Sequence, residues 1–263
     1  MKKEMTDLQP LSSLTPYLND DFNKNINQLA ANHKVVIFYI PRQDKEILTI
    51  MPSILKHISL GYEVHLVSYS VHSNEEFKLI NQKIFRQNRE RNQISSITRL
   101  LDKQTFINDK NNEFIQSSVE LGVRKENIHI YNSEKNASIS ELVCIIRELE
   151  NRFPLASHRS LSFVDEEEHS SLWGKALIKS YEKNVVTNVN FYIKSENKAS
   201  VNKIKPLIEQ VSEEEITQLK RAAYSYRIKK ASESKCTKSY IQLKESFERF
   251  LQFPVSYVHG PTI

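Results

Sequence analysis

Residues 35–40 read VVIFYI, an unbroken apolar run rich in β-branched and aromatic side chains, and a run of different period follows it. From Ile47 onward, Ile50, Met51, Ile54, Leu55 and Ile58 recur at helical intervals up to Gly61. A short apolar run without alternation suits a strand covered on both faces, as in a parallel sheet. The second run has the period of an amphipathic helix, and Gly61 can take the left-handed conformation that closes one. A strand that feeds directly into a helix is half of a crossover unit, and this constrains the fold more than composition does.

The alternation continues along the chain. YEVHLVSYS (62–70) reads as a second strand, NEFIQSSVELG as a helix ending at Gly122, and NIHIYN (127–132) as a third strand. ISELVCIIRELENRF then reads as a helix, HRSLSFVD as a fourth strand and SSLWGKALIKSYEKN as a helix. The expected class is α/β, a Rossmann-like open, mostly parallel sheet with helices on both faces, whose ligands gather at the carboxyl ends of the strands. Residues 33–195 should form this domain, with 1–32 an N-terminal extension packing on the core. Residues 196–263 read as a lysine-rich linker, helices over 213–227 and around 240–251, and a tail FPVSYVHGP, a largely helical segment completing the same domain. The insert 74–109 reads as helical and peripheral.

Composition narrows the function classes. Across 263 residues, 39% hydrophobic and 26% charged side chains suffice for one large core or two small ones. No apolar run approaches the roughly 20 residues needed to cross a bilayer. Glu4, Asp7 and Pro10 stand where a signal peptide needs an apolar stretch, so a cytoplasmic location is expected. Cys144 and Cys236 lie far apart without metal-ligand spacing; both are expected as reduced thiols, Cys144 in a helix core. The net charge of +5 is scattered. Its densest patch, KIFRQNRER (83–91), holds one aromatic residue and reads as a solvated helix face, which leaves nucleic-acid binding as the weakest alternative.

Two strands end in charge: PRQDKE (41–46) after the first and DEEEH (165–169) after the fourth. Together with YEVHLVSYS, KNNEFIQSSVELGV (110–123) and SSLWGKAL, their order and spacing resemble the PIG-L/LmbE family of zinc-dependent N-deacetylases, over most of residues 33–185. Members of that family remove acetyl from N-acetylglucosamine-type substrates on a Rossmann-like sheet. Its His-x-Asp-Asp-Glu motif falls on Arg42, Gln43, Asp44, Lys45 and Glu46. Its Arg-x-x-Glu falls on Lys110 and Glu113, and its His-x-Asp-His on Glu166, Glu167, Glu168 and His169. The resemblance implies that Asp44 holds the position of the catalytic base. His169 keeps the one surviving metal-ligand position, and Arg42 and Lys45 replace the other two.

Zinc needs lone pairs from imidazole, carboxylate or thiolate, and neither a guanidinium nor an ammonium supplies one. No zinc cofactor is therefore expected, and the chain reads as a deacetylase-like pseudoenzyme. Counted without Glu46 and Glu167, Arg42, Asp44 and Lys45 sum to +1 and Glu166 with Glu168 to −2, the −1 that the family's matching positions reach with zinc bound. On this reading Arg42 and Lys45 take the electrostatic role of the ion, held by Asp44, Glu166 and Glu168. Arg42, Lys45, Lys110, Glu113, Glu166 and Glu168 are candidate contacts for a sugar or phosphosugar, and an active homologue or a glycan-biosynthesis protein is a candidate partner. The alternative is an active hydrolase that deacetylates an N-acetyl sugar, with Asp44 as base and a cation stabilising the oxyanion. Other residues read more plainly. Glu46 stabilises the following helix through its dipole. His129 is structural and Trp173 fills the core, while Tyr257 and His259 either cover a pocket mouth or pack for stability.

Overall fold

The computed structural model describes residues 34–43, 45–71, 102–133, 135, 137–194, 207–227, 250–252 and 254–261, with 77, 78, 81, 82 and 248 singly. Lys45 and Glu46 are described as backbone alone. The N-terminal extension, the 83–91 patch, Asp44 and Cys236 lie outside the described residues.

The described strands form one seven-stranded sheet in the order β3-β2-β1-β4-β5-β7-β6. They are β1 (Val35–Ile40), β2 (Glu63–Val71), β3 (Ile128–Ser133), β4 (Ser157–Leu161), β5 (Asn188–Ile193), β6 (Leu207–Gln210) and β7 (Val255–His259). The first five are parallel, with Phe38 opposite Leu66 on one side and Arg159 on the other. β7 runs antiparallel to both β5 and β6. The expected α/β class and mostly parallel sheet are present. The C-terminal segment, read as largely helical, also supplies β6 and β7. β5 follows a helix closely, and the sequence reading passed over it.

Among the described residues, five bounded α-helices lie on the sheet: α1 (Lys45–Ser59), α2 (Lys103–Glu120), α3 (Ile139–Arg152), α4 (Glu168–Glu182) and α5 (Glu213–Tyr224). Alternation along β1 assigns the two faces. Val36, Phe38 and Ile40 pack with Ile50, Met51 and Ile54 of α1, Phe114 of α2 and Leu219 of α5. Ile37 and Tyr39 pack with Leu142 and Ile146 of α3 and Trp173 and Leu177 of α4. Trp173 fills this second core, stacked on Tyr39. Cys144 departs from expectation: it sits on α3 but is exposed, because the buried stripe of that helix runs through Leu142, Val143, Ile146 and Leu149.

Local signals account for the helix ends. Gly61 and Gly122 adopt φ of +77° and +94° just beyond α1 and α2, the left-handed geometry that glycine takes without steric cost. Ser138 and Ser212 each open a helix with a reciprocal capping box, to Glu141 and Glu215. Gly174 is required for close packing, since a Cβ there would stand 2.5 Å from Leu161 O and 2.6 Å from Phe163 N. This contact seats α4 against the segment leaving β4.

Candidate functional site

The chain runs from β1 outward to β2 and β3, then returns to place β4 and β5 on the other side of β1. The β1/β4 boundary is thus the topological switch point, where open α/β sheets form their crevice. Both charged motifs leave the sheet there, Pro41 to Gln43 from β1 and residues 162–167 from β4.

They meet through Glu167, whose Oε1 lies 3.6 Å from Arg42 Nη1. Its other oxygen accepts from a residue that the sequence reading missed. Lys194, the first residue after β5, donates from Nζ to Glu167 Oε2 at 2.9 Å and to Ser170 Oγ at 2.8 Å, and stands 3.5 Å from Asp165 Oδ2. The Lys194 side chain is 5% exposed and that of Asp165 2%, so this ion pair is buried. A lysine closing the apolar run NFYIK looks like an ordinary strand end in one dimension. The signal that could have flagged it was its position at the carboxyl end of a parallel strand, facing an acidic loop.

The acidic loop is folded by its own polar groups. Asp165 N–H donates to Ser162 O, Glu167 N–H to Asp165 Oδ1, and Val164 N–H to Ser162 Oγ. Asp165 and Glu167 turn inward while Glu166 and Glu168 are exposed. Asp165 and Glu167 are thus carboxylates set against Lys194 and Arg42. His169, in the first turn of α4, is exposed. Lys45 belongs to this region by its backbone, at the start of α1.

The remaining candidates lie on the β3 side. Lys110 Nζ sits 5.6 Å from the ring centre of Phe106, a cation–π contact along one face of α2, and Glu113 is half-buried one turn later. Between them and β1 runs a chain of amides. Gln43 Nε2 donates to Asn111 Oδ1 at 2.9 Å, and Asn111 Nδ2 donates to Asn132 Oδ1 at 3.1 Å. The Gln43 backbone is held as well, its carbonyl accepting from Tyr226 OH.

Tyr257 and His259 lie in β7. His259 Nδ1 faces Gly260 O at 2.7 Å, an acceptor only, so Nδ1 carries the proton and Nε2 accepts from Ser162 Oγ at 2.9 Å. A serine donating to histidine is the arrangement of an activated nucleophile where substrate can reach it. Here Ser162 is 1% exposed, and the pair ties β7 to the acidic loop. Burial lowers the pKa of His259, keeping it neutral and able to accept. His129 stacks on His65 on β2, away from the charged motifs, with His65 Nδ1 3.3 Å from His129 Nε2.

No protein-family model matches the sequence, and no curated protein does. Solved structures do match the fold. The N,N'-diacetylchitobiose deacetylase from Pyrococcus horikoshii, complexed with its inhibitor MPG, aligns with a TM-score of 0.54 at 12% identity, over 94% of this chain and 88% of that one. A deacetylase of the teicoplanin biosynthesis pathway gives 0.57 at 11% identity, over 86% and 98%. The 4-carboxy-2-hydroxymuconate hydratase of Pseudomonas putida gives 0.53 at 11%, over 88% and 98%. The chain thus has the fold of the LmbE/PIG-L-type deacetylases, in agreement with the resemblance read from its motifs. Among the described residues, no three His, Cys, Asp or Glu side chains come together in a group that could hold a metal ion. Nor is any described helix long and apolar enough to cross a membrane.

Proposed function

We propose that this chain is a non-catalytic counterpart of the LmbE/PIG-L-type deacetylases, which binds a sugar or phosphosugar at the carboxyl edge of its sheet without zinc. The observation that carries the reading is the Lys194 ammonium between Asp165, Glu167 and Ser170, with Arg42 on the other oxygen of Glu167. Two basic side chains thus already face the two carboxylates. A protonated amine offers no lone pair, and a divalent ion about 4 Å from a unit cation would be opposed by roughly 8 kcal/mol at an effective dielectric near 20. Arg42, Lys194 and the carboxylates they hold do not fit zinc.

The chemistry available is recognition. Arg42 presents a partly exposed guanidinium at the switch point, suited to a phosphate or carboxylate substituent, and the amide chain beside it suits hydroxyl groups. The sugar class is supported by the N,N'-diacetylchitobiose deacetylase of the same fold. The hydratase of the same fold marks the limit of that support, because one scaffold carries several chemistries.

Metal analysis of protein purified without chelator, paired with a deacetylation assay on N-acetylglucosamine, tests the reading. The expected result is substoichiometric zinc, no rise in melting temperature on adding zinc, and no acetate release. Stoichiometric zinc that survives dialysis would overturn it.

A further inference from the structure

Glu167 stands at the N-cap of α4, yet its side chain makes no capping hydrogen bond there. It is drawn instead to two cations, with Lys194 Nζ 2.9 Å from Oε2 and Arg42 Nη1 3.6 Å from Oε1. The two contacts differ in kind. Lys194 is 5% exposed and is also set against the buried Asp165, so its pairing with Glu167 is fixed from beneath. The Arg42 and Glu167 side chains are 42% and 37% exposed, and their separation is longer than a hydrogen bond. An ion pair open to water in this way contributes little, because solvent competes for both charges. A guanidinium in such a contact exchanges a carboxylate for a stronger partner at little cost. Phosphate is that partner, since it takes two parallel N–H bonds from the fork and carries more charge.

The place of the contact gives the exchange a consequence. Arg42 follows β1 and Glu167 follows β4, so the pair crosses the switch point, on the side where open sheets take their ligands. A carboxylate on Arg42 both holds the guanidinium in position and opposes a second anion that approaches it. We infer that Glu167 is an internal placeholder for an anion, and that a phosphate monoester takes its place on Arg42 while the displaced carboxylate stays on Lys194. The edge thereby selects phosphorylated sugars over neutral ones. This rests on the sugar-binding reading above and deepens it by naming the charge class of the ligand and the side chain that regulates its entry.

The test is calorimetric titration of the full chain at pH 8, where phosphate monoesters are dianions. N-acetylglucosamine 6-phosphate, inorganic phosphate and N-acetylglucosamine are each added to wild type, Glu167→Gln and Glu167→Asp. The first variant removes the charge, whereas the second keeps it and shortens its reach, so a general charge effect would tighten binding in Glu167→Gln alone. Both variants should bind each phosphate about fivefold more tightly than wild type, the most that releasing an exposed ion pair is worth. The neutral sugar should bind all three proteins alike. Unchanged phosphate affinity in both folded variants, or tightening in Glu167→Gln alone, would overturn the placeholder and leave the sugar reading standing. Equal tightening toward the neutral sugar would overturn it as well. Inorganic phosphate bound as tightly as the sugar phosphate, with the variant effect intact, would support the placeholder and overturn the sugar reading. No binding by any of the three proteins would overturn both.

Discussion

Lys194 gives the acidic loop one covalently attached positive charge, set against Asp165 and Glu167. Removing it leaves Asp165 buried without its partner, and breaking a buried pair from one side costs about 3–5 kcal/mol. Lys194→Met should therefore lower unfolding free energy by roughly 3 kcal/mol in urea titrations, and adding Asp165→Asn should recover part of the loss by removing the stranded charge. If Lys194→Met is neutral, the ammonium is not what holds the loop. Gly174 provides a second test at this scale. An added methyl group would overlap the backbone of Leu161 and Phe163, so Gly174→Ala should cost about 3 kcal/mol despite the gain in helix propensity. The same denaturation series measures it.

Helix starts and stops were the most legible elements. Ser138 with Glu141 is a local signal that needs no tertiary partner, and Ser138→Ala should cost about 1 kcal/mol by thermal unfolding. β1 through β4 could be read because each carries a continuous or alternating apolar run beside a helix whose period differs. β7 could not. Its five residues, VSYVH, are flanked by Pro254 and Gly260, and it becomes a strand only by pairing with distant segments on both sides. The charged motifs were legible as a pair but not in their detailed partners, since which glutamates of DEEEH turn inward depends on the loop's own hydrogen bonds. Lys194 acquires meaning only from neighbours in space, and its own stretch of sequence does not mark it.

At the scale of the molecule, buried imidazoles set the acid limit. Burial lowers the pKa of His57, His65, His129 and His259, that of His65 to about 4. Each stays neutral in the folded chain but takes up a proton near pH 6.5 when unfolded, so the stability present above 6.5 is lost as pH falls toward the folded values. For His65 alone the loss by pH 4 is about 3 kcal/mol. Unfolding midpoints measured from pH 8 to pH 4 should hold steady to about 6.5 and then drop, with His65→Phe shallower than wild type. An unchanged slope in that variant would remove His65 from the account. The sheet also imposes an order of assembly. β7 emerges from the ribosome after β6 yet lies between β6 and β5. Until it is made, β5 carries an open flank and β6 has no strand to join, so the nascent sheet exposes unpaired backbone at the stage when such edges recruit other chains. Since the same late strand carries His259, the acidic loop beside the switch point gains its Ser162 anchor only when the sheet is complete. The charged edge at the switch point is completed last, so a half-made chain cannot present it whole.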